Sequence, residues 1–220
     1  MYIAPDVAAV RQLHQDILDD DWIRYTLRDF LAVLADNLWK AYQRHDPASC
    51  IEIKNCHPEY AGAEETSIFG AQLNLEDMRL TIAREYGFKN FDDVTREGKY
   101  RFDPLFELSV DYLVQGNYEK LEDIVLDNPR IVGQPSDFGH AAQLIHYTAV
   151  NGIEIWRQMV PDNLPDMTAL LLKAGANPES TNNIYGENPD LVHLIDTSGH
   201  IKEAGLTHQM IEKLKRYIIN

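Results

Sequence analysis

The side chains able to do chemistry are scattered along the chain. Eight histidines and two cysteines are present, and four groups of residues invite a test. Cys50, Cys56 and His57 offer thiolate and imidazole ligands. A structural zinc site wants four ligands, however, and no second Cys/His pair follows at zinc-finger spacing. His193, Asp196, His200 and His208 form a looser set. They lack the i, i+4 pair that puts two imidazoles on one helix face. A Cys–His hydrolase would need Cys50 or Cys56 beside a histidine and an orienting Asn or Asp. Asp19-Asp20-Asp21 could hold a cation, but three adjacent side chains at a helix start point in different directions, and capping explains them more simply. Asp137-Phe138-Gly139 has the letters of a kinase triplet without the glycine-rich or catalytic-loop signatures. No nucleophile elbow, P-loop or dinucleotide fingerprint occurs. The expectation is no catalytic residue, no metal and no cofactor.

These residues sit among helices, and the clearest helices lie in residues 143–177. Leu144, Ile145, Thr148 and Ala149 share one helical face, and Gly152 follows where a left-handed residue can end a helix. Met167, Leu170, Leu171 and Ala174 form a second stripe, closed by Gly175 and by Asn177-Pro178. Two short helices of this kind cannot bury their apolar faces alone and need neighbours. Leu144-x-His146 followed by Gly152 recurs as Leu191-x-His193 followed by Gly199. A weaker copy runs from Leu108-x-Val110 to Gly116-Asn117, with a second helix over 118–126. The longer offset leaves an insertion at 153–166.

Leu144-Ile-His-Tyr-Thr-Ala149 and Ala169-Leu-Leu-Leu-Lys-Ala-Gly-Ala-Asn177 resemble the ankyrin repeat, with its T-P-L-H-x-A and leucine-rich G-A-N signatures. The chain departs from that pattern at Ala142-Gln143 and at His193-Leu-Ile-Asp196. The stretch 75–88 also resembles the helix that precedes the repeats in a group of bacterial ankyrin-like proteins. The resemblance implies a binding scaffold in which His146 and His193 brace adjacent loops, and in which 130–140 and 178–189 project as fingers.

The N-terminal part reads as helical too. Pro5 opens a first helix. Ile23, Leu27, Phe30, Leu31, Leu34, Leu38 and Tyr42 mark a long second one, capped by Asp19 to Asp21 and ended by His45-Asp46-Pro47. Trp22, Tyr25 and Trp39 fit core packing better than a ligand cradle. Asn74-x-x-Asp77 has the form of a capping box for a helix stopped at Gly87, and 75–97 reads as a helix pair covering the first repeat. Asp103-Pro104 starts the next helix.

The expected fold is all-α: a helical N-terminal region, 1–97, then a short ankyrin-type helix-turn-helix solenoid of about three units, 98–220. A net charge of −15 argues against nucleic acid and against an anionic membrane as partners, through repulsion. Two cysteines, no leader-like start and no long apolar run point to a cytoplasmic protein. The expected function is non-enzymatic binding of a protein partner through finger loops and inner helices, at Asp137, Phe138, Tyr147, Asn151, Asn182 and Tyr185. Two alternatives are a homodimer or small-ligand site on the N-terminal helices, and a His/Cys-dependent hydrolase.

Overall fold

The computed structural model describes residues 1–19, 21–96, 101–184 and 187–218. The protein is all-α, with one two-stranded antiparallel sheet among the described residues. No helix among them is long and apolar enough to cross a membrane. The chain divides into two compact units. The expected boundary at 97/98 lies outside the described residues, and the division by packing falls between Phe102 and Asp103.

The N-terminal unit comprises Pro5–Phe102 together with Asp137–Gly139. Its helices are α1 (Pro5–Leu13), α2 (Gln15–Leu18), α3 (Leu27–Gln43), α4 (Pro47–Cys56), α5 (Glu65–Gly70), α6 (Leu75–Glu85) and α7 (Asp93–Arg96). The long helix α3 packs against α4 and α6 and is the axis of the unit. Its apolar stripe, Leu27, Phe30, Leu31, Leu34 and Leu38, is fully buried. The aspartate run does not cap it. A 3-10 turn at Trp22–Arg24 intervenes, and Thr26 is the cap, its Oγ1 accepting from Asp29 N at 3.1 Å. Asp20 lies outside the described residues. The Asn74 capping box forms in both directions, with Asn74 N donating to Asp77 Oδ2 at 2.7 Å and Glu76 N donating to Asn74 Oδ1 at 2.8 Å.

Trp22 belongs to an aromatic cluster and forms no open cradle. Its ring meets Phe102 edge-on at 4.8 Å and Phe30 at 4.9 Å. Phe138 completes the cluster, 4.7 Å from Tyr86 and 5.5 Å from Phe102. Phe138 was expected on an exposed finger; it is 1% exposed. The reason is the pull of an aromatic core on a large apolar ring. Gly139 lets the backbone come close there, since a Cβ on it would stand 2.7 Å from the Gly87 carbonyl carbon.

The C-terminal unit comprises Met1–Ala4, Asp103–Ser136 and His140–Asn220. It holds β1 (Tyr2–Ile3), α8 (Pro104–Val114), α9 (Tyr118–Asp127), α10 (Leu144–Tyr147), β2 (Met159–Val160), α11 (Leu164–Lys173), α12 (Leu191–Thr197), α13 (Gly199–Glu203) and α14 (Thr207–Ile218). Helices α8 and α9 pair; α10 packs on α8 and on α11; α11 packs on α9 and on α14; α14 packs on α12. The central helix is shorter than its apolar stripe suggested. It makes one turn, because Val150 turns left-handed (φ 49°) and the chain departs. Leu144, Ile145, Thr148 and Ala149 are nevertheless all buried. Helix α11 begins at Leu164, so part of the expected insertion is helical. The rest carries β2, which pairs with β1 in the register Tyr2–Val160 and Ile3–Met159.

Replacing Phe138 by Ala should empty a ring-sized space in the N-terminal unit and cost about 3–5 kcal/mol of stability in urea unfolding. A cost below about 1 kcal/mol would return Phe138 to the surface.

Candidate functional site

One open cleft brings together a finger, an inner helix and the end of the central hairpin. It has a volume of about 370 Å³ and is lined by Ile184, Glu187 and Pro189 from the finger and by His193, Leu194 and Thr197 from α12, with Asn151 at its edge. Local chemistry sets each wall. The finger is a narrow loop in which Thr181 pairs with Asp190 and Ile184 with Glu187; Ile184 N and Glu187 N each donate to the other's carbonyl at 2.9 Å. Asp190 caps α12, accepting from His193 N at 2.7 Å. Gly152 (φ +68°) lies beneath Ile184, and a Cβ there would stand 2.1 Å from Ile184 Cδ1.

His146 holds the root of this finger. Its Nδ1 accepts from Gln143 N at 2.9 Å, which leaves Nε2 to donate to the Ser180 carbonyl at 3.1 Å. Burial lowers its pKa, so the neutral ring that this pattern needs is the favoured form. Asn183 N adds a bond to the His140 carbonyl at 3.0 Å. His193 occupies the equivalent sequence position, but its ring makes no hydrogen bond among the described residues. It stands exposed on α12 and lines the cleft.

The expected partner-binding residues separate. Asn151 reaches the cleft, but its amide is engaged in holding α12, donating to Leu194 O at 3.2 Å and Thr197 Oγ1 at 3.1 Å. Tyr147 and Asn182 are buried, so neither offers a surface contact. Tyr147 is held inside by its hydroxyl, which donates to Glu154 Oε1 at 3.2 Å. Asp137 is half-buried in the N-terminal unit beside Phe138. Tyr185 lies outside the described residues. Ile184, Glu187, His193 and Thr197 were missed as site residues. The signal that could have found them is the exposed His193 at i+3 from the capping Asp190.

A collection of titratable groups around Arg157 lies mostly in the interior, with Asp111 at its partly exposed edge. Arg157 is 0% exposed, and its guanidinium meets Glu107 at 2.7 Å, Asp111 at 2.9 Å and Glu154 at 3.3 Å. Trp156 lies 4.5 Å from it, ring face toward the cation. His140 Nδ1 accepts from Ala142 N at 3.0 Å, and its Nε2 faces Glu154 Oε1 at 3.7 Å. One guanidinium cannot neutralise three carboxylates. Burial pushes the Glu107 carboxyl up to about 7 against the pull of Arg157. Burial acts on Glu154 as well, but His140 and then Arg157 hold its carboxyl below the usual range. Glu154 and Arg157 both come from the insertion at 153–166, which is therefore core.

The cysteine group is also interior. Cys50 and Cys56 are buried, and burial pushes the Cys50 thiol up to about 11, far from a thiolate at neutral pH. No group of three His, Cys, Asp or Glu among the described residues is arranged to hold a metal ion. Compared with protein-family models, curated proteins and solved structures, the chain matches none.

Two outcomes follow from the buried network. Arg157→Met should cost about 3–5 kcal/mol in chemical unfolding, because Glu107 and Glu154 stay buried without their cation; a loss under 1 kcal/mol would show the network to be dispensable. Glu107 holds its proton more tightly folded than unfolded, so its contribution to stability is present below its ordinary 4.5 and is lost as pH rises to about 7. Glu107→Gln, fixed in the neutral form, should gain in Tm relative to the wild type across that interval. Parallel Tm profiles would mean that Glu107 stays charged.

Proposed function

We propose that the protein is a non-enzymatic scaffold that holds a protein partner on the cleft between the finger at 178–190 and α12. The observation that carries this reading is the cleft itself, where polar side chains of the finger and of α12 stand open to solvent, while the Arg157 guanidinium and the cysteines are locked inside. The buried Arg157 network and the buried cysteines have hydrogen-bonding and packing roles. Glu187, His193 and Thr197, by contrast, face solvent beside the apolar side chains of Ile184 and Leu194. An apolar floor with a polar rim is the usual composition of a protein–protein contact.

The ankyrin resemblance is part of this proposal. It draws support from the packing of α8/α9, α10/α11 and α12/α14 in succession, and from the His146 brace on Ser180. In this reading the finger and α12 are the binding edge, and α9, α11 and α14 form the outer side. The cytoplasm is the proposed location, from the paucity of cysteine and the acidic charge.

A photo-crosslinking residue placed at position 193 of the full chain should capture a defined partner in cell extract. The same residue at Leu126, an outer position 70% exposed, should not. Equal capture at both positions, or none at 193, would remove this surface from the function.

A further inference from the structure

The finger at 178–190 is seated on the C-terminal unit through backbone groups and one imidazole. His146 is 0% exposed, and its Nε2 donates to the Ser180 carbonyl at the root of the finger at 3.1 Å, with Ser180 Oγ 3.3 Å away. Farther along, Asn183 N donates to the His140 carbonyl at 3.0 Å, and Ile184 rests over Gly152. This seat also carries a cost. The Asn182 side chain is 2% exposed, and neither its Oδ1 nor its Nδ2 has a hydrogen-bond partner among the described residues. An amide shut away from water without a bond is destabilised relative to its hydrated form. Lifting the finger hydrates Asn182, so the seated form leans on the bonds that His146 makes.

His146 makes those bonds in one protonation state only. Its Nδ1 accepts from Gln143 N at 2.9 Å, so the ring proton sits on Nε2. A second proton has only Nδ1 to occupy, where it points at the Gln143 N–H and two donors face each other. The charged ring is then cut off from water, with no carboxylate bonded to it among the described residues. The elements around it do not supply one. Burial lowers the His146 pKa, and His140, ahead of α10, lowers it further; the His140 Nε2 itself faces Glu154 at 3.7 Å. Glu107 and Asp111 on α8, and Glu154, are bonded to Arg157. Asp166 and Lys173 on α11 are exposed, as are Arg130 on the 3-10 turn at Pro129–Gly133 and Glu179 on the finger.

We propose, resting on the binding-scaffold reading, that His146 is a proton-sensitive latch whose protonation lifts the finger from its seat and removes one wall of the cleft. Ser180 moves off Nε2 and water reaches the imidazolium. Asn183 N leaves the His140 carbonyl, and Asn182 meets solvent. The unseated ring titrates near the ordinary 6.5 and the seated ring below it, so the seated form binds fewer protons. The finger is therefore fully seated above 6.5 and loses its hold as pH falls from there toward the lower value. A partner held between the finger and α12 is released by mild acid.

The test is amide hydrogen exchange by NMR on the full chain between pH about 7.5 and about 5, with rates corrected for the intrinsic effect of pH. Protection of Asn183 should fall at least about threefold over that interval. Ala176 N, bonded to the Leu171 carbonyl at 2.9 Å in the body of the unit, should hold its protection. The nitrogen shifts of the His146 ring at the upper pH should place its proton on Nε2. His146→Gln, which cannot take the second proton, should remove the fall at Asn183. Asn182→Leu, which removes the unbonded amide, should raise Asn183 protection at the upper pH. The inference is overturned if Asn183 falls no further than Ala176, if the fall persists in His146→Gln, or if the neutral ring carries its proton on Nδ1. It is also overturned if Asn182→Leu gives no rise. Crosslinking from position 193 at the upper pH judges the scaffold reading separately. Capture there without a fall at Asn183 removes the latch and keeps the scaffold, and a fall without capture does the reverse.

Discussion

A guanidinium with no access to water needs acceptors, and Arg157 obtains carboxylates for both of its terminal nitrogens. Glu107 and Asp111 come from α8 and Glu154 from the turn just before Arg157; the Tyr147 ring from α10 lies 6.0 Å from the cation, and its hydroxyl donates to Glu154. Desolvating such a cation costs several kcal/mol unless each bond is well made. The network therefore tolerates little displacement of α8 against α10. The segment 153–163, without a helix of its own longer than a single 3-10 turn, is ordered by the same bonds. The position of Tyr147 and Ala149, and through them the root of the finger, depends on that arrangement.

Much of the fold could be read locally. Helix α3 announces itself by its leucine spacing and α8 by Asp103-Pro104. Helix α6 does so by the Asn74 box. Each of these signals acts over three or four residues, so tertiary packing had little to overrule. Two signals were overruled. The aspartates before α3 are plausible caps in isolation, but Trp22 is drawn into an aromatic cluster and the chain makes an extra 3-10 turn before Thr26. The apolar face of 144–149 promised a longer helix than the single turn that forms, because Val150 turns left-handed and leads into the insertion.

The site was harder to see. Aromatic and amide side chains on presumed loops looked like contact residues. Phe138 and Tyr147, however, have enough apolar area for burial to outweigh exposure, and Tyr147 has a buried carboxylate to receive its hydroxyl. Glu154 and Arg157 lie three apart in a stretch with no helical stripe, and the sequence marks neither as interior. Whether a charged residue is buried depends on partners distant in sequence, here Glu107 and Asp111, nearly fifty residues away. His193 illustrates the converse. By repeat position it was expected to match His146, yet of the two only His146 holds a carbonyl among the described residues, and His193 is left facing the cleft.

The sheet of four residues, β1 with β2, has a bearing on how the molecule is made. Tyr2 is polymerised more than 150 residues before its partner Val160. The opening segment must wait unpaired while residues 5–102 are synthesised. The N-terminal unit waits in turn for Phe138. Neither unit is encoded by one uninterrupted run of codons, so a gene cut between 102 and 103 would give two products, each lacking a piece carried by the other.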